Sequence, residues 1–395
     1  MERPVALTAR GSGASNEQTR RHNLSTILTA LHHDGPQPRS RLTALSGLNR
    51  STIAALVAEL VELGLAIETQ ADPTNKVGRP SPTVLANPRV VALAVNPEID
   101  AVTIGAVGLG GTVLKRIRYD TQAPPSAREA VNISAAVIAG FRDELEREGS
   151  IVGIGVAVPG LVRASDGLVR FAPHLEWTDE PIAEMLTEAT GLPAWAANDA
   201  SLGAMAEMVF GAGRGLTDLI YLNGGPSGIG GGLIAGGVPI RGAGGFAGEF
   251  GHIRVDTSAG GYDDPVAGSL ESEVNRSTIL GALGLASADA DELDAALLAS
   301  EDPAVTALVH RQLDYLSTSL RNAVNVLNPQ MIALGGFLAS LFEADPEYLR
   351  ARVEAQSLRV SFEGVAIERA RLGSDILMIG ASELAFAPVL SSPAR

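Results

Sequence analysis

Three polar side chains, Glu249, His252 and Glu271, stand among glycines and small residues between positions 248 and 271. Carboxylates accept hydrogen bonds, and a neutral imidazole either donates or accepts one. This spacing therefore predicts a polar site for a ligand. No metal-binding set and no nucleophile with a base accompanies it, so three interpretations stay open: an active site, the remains of one, or a site that only senses.

A second polar pair, Asn198 and Asp199, follows an apolar segment that predicts a strand. Ligand sites of α/β proteins lie at the carboxyl ends of strands, so the pair is a candidate for ligand binding. The alternative is an ordinary turn in which Asn198 caps the next helix.

The chain has 395 residues and no cysteine. This length predicts two or three domains, and the lack of cysteine excludes disulfides, thiolate metal sites and cysteine nucleophiles. The first residues contain no apolar run typical of a secretory signal, and we expect no stretch of about 20 apolar residues that could span a membrane. A cytoplasmic protein without a membrane partner is expected.

Charge is distributed unevenly along the chain, whose net charge is −15. Residues 1–90 carry 10 basic and 7 acidic side chains, whereas the remaining residues carry 20 and 38. A slightly basic front on an acidic body is consistent with a small DNA-binding module joined to a larger domain.

The front of the chain has the spacing of three short helices. Apolar residues recur at helical intervals in the first helix, at Leu42 and Leu45 in the second, and from Ile53 to Leu60 in the third. A glycine turn before the third helix is typical of a helix-turn-helix. Arg50, Ser51 and Thr52 open that third helix, where such side chains reach bases and phosphates. A helical bundle that touches no DNA is the alternative.

Two short strands around a polar turn are predicted after these helices, as in a winged hairpin. The tip carries Lys76 and, within Gly78-Arg79-Pro80, an arginine that glycine and proline hold extended. Such an arginine can enter a narrow minor groove. The segment 1–15 is rich in glycine and serine and is expected to be disordered.

From Val90 onward the pattern alternates strands and helices, and a meander followed by β/α units occurs twice. This order predicts a two-lobed α/β fold with a cleft between the lobes.

Four segments of the body resemble the ROK family of sugar kinases and sugar-responsive repressors. They are GIGVAVPGLV, WAANDASLGAMAE, GIGGGLIAGGVPIRGAGGFAGEFGH and VNVLNPQMIALGG. The resemblance covers the chain from about residue 20 and implies an actin-like, ribonuclease-H-like body behind a winged helix-turn-helix. We accordingly expect a DNA-binding domain at 16–86 and a sugar-binding domain at 87–395. Its small lobe would comprise about 87–198 with a C-terminal helix at about 375–390, and its large lobe about 199–374.

The resemblance also assigns roles to the polar residues. Asp199 matches the general base of the family's kinases, and Asn198 its neighbour. Glu249 and His252 match the family's Gly-Glu-x-Gly-His, and Glu271 matches a glutamate that follows its cysteine cluster. Together these five would form a ring that binds a sugar.

Two departures from the family's pattern bear on the chemistry. The family's structural zinc is held by this histidine and three cysteines, and here the loop has no cysteine. Asp263 and Asp264 are poor replacements for soft thiolates, so we expect no zinc and no other cofactor. The kinases' Asp-x-Gly-Gly-Thr phosphate loop corresponds to Asn96-Pro97-Glu98-Ile99, and the Gly-Gly-Thr at 110–112 comes one hairpin later. Without that cradle we expect no phosphotransfer.

The leading hypothesis is a sugar-responsive repressor that binds an operator in double-stranded DNA as a homodimer or homotetramer. A sugar or sugar phosphate in the cleft would change lobe closure and with it DNA binding. Two alternatives remain: a working sugar kinase with a regulatory head, and a regulator that responds to a partner protein.

Overall fold

The structure, a computed structural model, describes residues 16–69, 82–259, 264 and 266–394. It comprises two compact units. One consists of Met1–Asn87 with Ala387–Arg395, and the other of Pro88–Phe386. We call the first the head and the second the body.

The head contains three helices and a small sheet. Its elements are α1 (Asn16–Asp34), β1 (Gln37–Pro38), α2 (Arg39–Ser46), α3 (Arg50–Glu62), β2 (Ala66–Thr69) and β3 (Thr83–Ala86). The strands pair antiparallel in the order β1-β3-β2. Gly47 adopts a left-handed conformation (φ 68°) that ends α2, and Asn49 caps α3. The helices form the helix-turn-helix that their spacing predicted, and β2 and β3 are the two strands predicted for the winged hairpin.

Two details of the head differ from the expectation. The apolar pattern predicts a first helix that begins near His22, but the helix begins at Asn16, because polar residues extend it without adding to the core. Leu45 was expected to point inward, but it is 51% exposed, whereas Leu42 is buried. A helix of eight residues buries only a narrow stripe, and Leu42 alone fills it.

The first half of the body builds a five-stranded sheet and a small three-stranded sheet. Its elements are β4 (Val90–Pro97), β5 (Ala101–Gly108), β6 (Thr112–Asp120), α4 (Ala127–Glu148), β7 (Ser150–Val158), β8 (Leu161–Val162), β9 (Val169–Ala172), β10 (Trp177–Glu180), α5 (Ile182–Thr190) and β11 (Ala194–Asn198). Gly110 and Gly111, both with positive φ, form the turn between β5 and β6.

The second half builds another five-stranded sheet with a larger set of helices. Its elements are α6 (Asp199–Phe210), β12 (Leu219–Gly225), β13 (Gly228–Ala235), β14 (Val238–Pro239), α7 (Leu270–Glu273), α8 (Arg276–Ala282), α9 (Ala290–Ala299), α10 (Pro303–Leu327), β15 (Met331–Gly336), α11 (Phe337–Ala344), α12 (Pro346–Gln356), α13 (Arg359–Phe362), β16 (Ala366–Arg369) and α14 (Ile376–Ser391).

The two large sheets repeat one topology. Their strand orders are β11-β7-β4-β5-β6 and β16-β15-β12-β13-β14. In each, a three-stranded antiparallel meander is extended by two parallel strands. This duplication is the two-lobed α/β fold that the alternation of elements predicted.

Helices α6 and α14 contribute to the same apolar packing within the body. Leu202 of α6 and Ala381 of α14 share one buried cluster. A Cβ at Gly155 would lie 1.7 Å from the Ala381 carbonyl oxygen, and one at Gly380 would lie 2.5 Å from that of Leu202. Glycine at these points lets backbones approach closely, so the elements that carry the site are held tightly.

The last helix corrects the expectation that no stretch of the chain is long and apolar enough to span a membrane. The segment Gly373–Ser391 reaches the length and hydropathy of a membrane span, but 56% of it is buried inside the protein, so its apolar composition is accounted for by core packing. The helix expected at about 375–390 is α14 (Ile376–Ser391), and Ala387–Arg395 group with the head.

Candidate functional site

A cavity of about 200 Å³ lies in the body, and Asn198, Asp199, Glu249, His252 and Glu271 all line it. Asn198 ends β11 and Asp199 begins α6. Glu249 immediately precedes the one-turn helix Phe250–His252, His252 is its last residue, and Glu271 lies in α7. The structure therefore brings together all five residues that the sequence selected, from segments up to 73 positions apart.

Asn198 is engaged on both sides of its amide. Its Oδ1 accepts from the Ser201 N–H at 2.9 Å, which caps α6, and its Nδ2 donates to the Gly160 carbonyl at 3.1 Å. The capping turn that the sequence offered as an alternative is thus present, and Asn198 also fixes the Gly160 turn beside the cavity.

Asp199 presents one free oxygen. Its Oδ1 accepts from the Ala200 N–H at 2.8 Å and from Asn198 Nδ2 at 3.2 Å, whereas its other oxygen receives no hydrogen bond within the described chain. Burial raises the pKa of Asp199 to about 7, and repulsion from Glu249 and Glu98 adds to the shift. Near neutral pH this carboxyl can therefore both accept and donate a hydrogen bond.

The opposite wall carries Glu249, His252 and Glu271. His252 Nδ1 lies 3.6 Å from Glu271 Oε1, and the two side chains are 58% and 21% exposed. Burial raises the pKa of Glu249, Glu271 raises it further, and His252 opposes the shift. Among the described residues, no donor reaches the Glu249 carboxylate. A half-buried carboxylate without a partner is suited to a ligand hydroxyl.

Glycines let this wall approach the hairpin β12–β13. A Cβ at Gly248, which has φ +107°, would lie 2.1 Å from the Gly231 carbonyl oxygen. A Cβ at Gly251 would meet the Ile229 carbonyl oxygen at 2.4 Å, and one at Gly228 would meet Glu271 Oε2 at 2.5 Å. Side chains at Gly248 or Gly251 would push this wall off the hairpin, and one at Gly228 would displace the Glu271 carboxylate.

Four further lining residues with aromatic or hydrogen-bonding side chains were not selected from the sequence: Phe171, His174, Asn223 and Ser227. Phe171 is 49% exposed although it lies in a strand, so its ring is available to an apolar face of a ligand. The sequence signal that could have identified Phe171 was an aromatic residue in a short strand. Asn223 and Ser227 lie within or beside the glycine-rich hairpin β12–β13, from which the sequence analysis selected no side chain.

A second, smaller cavity of about 50 Å³ adjoins Asp199. The turn Asn96-Pro97-Glu98-Ile99 forms one wall, and Asn223, Gly225 and Ser227, which also line the first cavity, form part of the other. Asp199 therefore lies at the junction of both cavities.

The described residues of the loop between His252 and Glu271 do not fit a structural zinc. Asp264 Oδ1 accepts from the N–H groups of Val266 and Ala267. The Arg254 guanidinium donates to the carbonyls of Ala267 and Asp264. His252 faces Glu271, so these side chains are already engaged in holding the loop. Asp263 lies outside the described residues.

In the head, Arg50, Ser51 and Thr52 form the first turn of α3. Asn49 Oδ1 accepts from the Thr52 N–H at 2.8 Å and from Ser51 Oγ at 2.7 Å. Arg50 and Ser51 are exposed and Thr52 is half-buried. Lys76 and Arg79, the predicted contacts of the wing, lie outside the described residues.

Comparison with known proteins identifies the family to which this chain belongs. The model of the ROK family matches residues 99–387. The chain belongs to the ROK family. Both the winged helix-turn-helix and the duplicated sheet are consistent with the repressor members that the sequence resembles.

ROK proteins of two kinds are similar to this chain. The xylose repressor of Caldicellulosiruptor bescii is 26% identical over 90% of this chain and 93% of its own length. The xylose repressor of Bacillus subtilis is 26% identical over 86% and 87%. The glucokinase of Halalkalibacterium halodurans is 27% identical and is covered over 92% of its length, but it matches only 69% of this chain. The repressors therefore account for more of the chain than the glucokinase does.

Solved ROK structures share the fold. A ROK family transcriptional regulator, a homologue of the E. coli MLC protein, superposes with a TM-score of 0.76 at 23% identity over 94% of this chain and 97% of that one. A ROK glucokinase from Streptomyces griseus, in complex with glucose and AMPPNP, superposes with a TM-score of 0.62 at 24% identity over 75% and 99%. The actin-like two-lobed fold is thus established for the body.

Proposed function

We propose that this ROK protein is a transcriptional repressor whose operator binding responds to a sugar. One observation carries the proposal: a single chain joins a helix-turn-helix, with Arg50 and Ser51 exposed at the start of α3, to a cavity ringed by hydrogen-bonding side chains. The first part suits DNA, and the second suits a polyol.

The effector is proposed to be a single monosaccharide, held by Asp199, Glu249 and Glu271 with Asn198 and His252 beside them. A cavity of about 200 Å³ suits one sugar ring. Acceptors on two walls bind hydroxyl groups, and Phe171 offers an aromatic face to the apolar side of a ring. The names of the relatives favour D-xylose and D-glucose as the first sugars to test.

The repressor is proposed to act as a homodimer, because operators with two-fold symmetry match proteins with two-fold symmetry. Sugar binding must favour one conformation over another to alter DNA binding, since equal affinity for both shifts nothing. We propose that the favoured conformation is the one with lower operator affinity, so the sugar acts as an inducer.

The test is sugar-dependent release of DNA. We expect the full-length protein to bind its own upstream region in a mobility-shift assay, and D-xylose or D-glucose to weaken binding at least tenfold. A tenfold change corresponds to about 1.4 kcal/mol of coupling between the two sites. Binding of the DNA with equal affinity at all sugar concentrations would contradict the proposal and would point to a partner protein as the signal.

Arg50→Ala is expected to weaken DNA binding and to leave sugar binding unchanged. Loss of one phosphate contact lowers the slope of log affinity against log salt by about 1. Arg359→Ala is the matched control. Arg359 lies in the body and is highly exposed, and this substitution removes the same charge as Arg50→Ala. Fluorescence anisotropy with labelled DNA at several salt concentrations measures both slopes, and equal slopes in wild type and Arg50→Ala would contradict the DNA contact.

One observation favours phosphotransfer as a second candidate function. A carboxyl with a pKa of about 7 is well matched to general-base work at neutral pH. Against it, the turn Asn96-Pro97-Glu98-Ile99 beside Asp199 has a proline without an N–H and an acidic side chain, and both disfavour phosphate. We therefore propose that no phosphate is transferred. A coupled assay of ADP release with Mg-ATP and D-glucose decides, and turnover would establish the kinase instead.

A further inference from the structure

The side chains that line the small cavity beside Asp199 suit one kind of substituent. Its volume is about 50 Å³, which is room for only a few water-sized groups. Asp199, Asn223, Gly225 and Ser227 line both this cavity and the larger one. The two cavities therefore adjoin at these residues.

Asn96 marks the small cavity as a binding position. The residue is 4% exposed and lines the cavity, and its side-chain amide has no hydrogen-bond partner among the described residues. The amide is therefore available to a hydroxyl group or water that enters the cavity.

Glu98 brings a negative charge to the same cavity. Its Oε2 lies 2.5 Å from Arg118 Nη1 and accepts a longer hydrogen bond, 3.4 Å, from Thr103 Oγ1. Its Oε1 receives no hydrogen bond within the described chain. Arg118 is shared with Asp100 and Asp120, at 2.9 Å each. One guanidinium thus holds three carboxylates, so it orients Glu98 without cancelling the negative charge of the group.

The charges around the two cavities have one sign. Asp199, Glu249 and Glu271 line the larger cavity, and Glu98 and Asp199 line the smaller. Among the described residues, no lysine or arginine lines either. Proteins that bind phosphate esters do so with arginine, lysine or convergent N–H groups, and Pro97 removes one N–H from this turn.

We propose that the small cavity is a specificity subsite of the effector site, and that it takes an uncharged hydrogen-bonding substituent such as a hydroxymethyl group. Asn96 and Asp199 bind that substituent, and Glu98, positioned by Arg118, excludes a phosphate group from it. This inference rests on the proposed sugar-binding function and narrows it, because it selects free sugars over their phosphates.

The test compares sugar and sugar phosphate in the full-length protein. The probes are D-glucose, D-mannose and N-acetyl-D-glucosamine, each with its 6-phosphate ester, and D-xylose, whose pyranose ring carries no hydroxymethyl group; all are titrated by calorimetry at pH 7.5. In the wild type, we expect the affinity for a free sugar that binds to be at least 100-fold higher than the affinity for its phosphate ester. Glu98→Gln is expected to narrow this ratio at least tenfold, because it keeps the size of the side chain and removes its charge.

Asp100→Asn is the matched control. It removes the same charge two residues away and contacts the same Arg118, but it lines neither cavity. We expect its ratio of sugar to phosphate affinity to equal that of the wild type. A narrowing as large as that of Glu98→Gln would mean that net charge, and not the position of Glu98, sets the preference, and the assignment of Glu98 would fall.

The other outcomes separate this inference from the proposed function. If a sugar phosphate binds the wild type as tightly as the free sugar or more tightly, the sensor stands and the subsite is wrong. If Glu98→Gln leaves the ratio unchanged, Glu98 is not the determinant. If only D-xylose binds, the sensor stands and the subsite is wrong. If none of the seven compounds binds, the proposed sugar response fails, and the subsite fails with it.

Discussion

Replacing Asp199 with asparagine is expected to stabilise the ligand-free protein at pH 8 by at most about 4 kcal/mol, and to weaken sugar binding about tenfold to a hundredfold. The stability gain follows from the pKa of Asp199, which burial raises from 3.8 to about 7. The loss of affinity follows from removing a charged acceptor from the ring of the cavity.

The pH dependence has a definite sign. Above pH 7 Asp199 is ionised in both the folded and the unfolded protein, and the folded state bears the full cost of the buried charge. As pH falls from 7 towards 4, the folded state takes up a proton first and the cost disappears. The advantage of Asp199→Asn is therefore largest at pH 8, is smaller at pH 5 and is gone below pH 4.

Scanning calorimetry of wild type and variant at pH 5 and pH 8 measures this difference. The asparagine keeps an oxygen for the Ala200 N–H and for Asn198 Nδ2, so the local hydrogen bonds survive. Asp166→Asn is a control that should change stability in the opposite direction. Arg163 holds the pKa of Asp166 down to about 2, so removing the Asp166 charge should lower stability at pH 8. A melting temperature of Asp199→Asn below that of wild type at pH 8 would contradict the buried-charge account.

The periodic parts of the fold were predictable because local pattern and tertiary burial agree there. Leu24, Ile27 and Leu28 are buried at the helical spacing of α1, and Val91 to Val95 form a buried strand. The same holds for Asp199, since a polar pair directly after an apolar strand must lie at the edge of a sheet. In these places a single segment carries the whole signal.

Contacts between distant segments were not predictable in the same way. Glu98 and Arg118 meet because β5 and β6 pair antiparallel in a register that sets Thr103 opposite Arg118, and the sequence indicates the hairpin but not this register. Phe171 and His174 enter the cavity because the small sheet β8–β10 lies beside it. The role of such residues depends on packing, which no local pattern specifies.

Gly248→Ala is expected to abolish sugar binding, with a loss of affinity of about 100-fold or more, and to lower stability by about 2–4 kcal/mol. Gly248 has φ +107°, which alanine rarely adopts, and its Cβ would lie 2.1 Å from the Gly231 carbonyl oxygen. A backbone atom cannot rotate away as a side chain can. The segment that carries Glu249 and His252 must therefore move off β13, and the ring of the cavity opens on that side.

Gly237→Ala separates the clash from the backbone strain. Gly237 also has positive φ, +76°, but a Cβ there has no heavy atom within 4 Å. We expect it to cost about 1 kcal/mol through strain and to leave sugar affinity unchanged, as measured by calorimetric titration with D-xylose and D-glucose. Equal loss of binding in both variants would mean that hairpin stability, and not the close approach at Gly248, shapes the site. Retained binding in Gly248→Ala would show that Glu249 does not contact the sugar from this position.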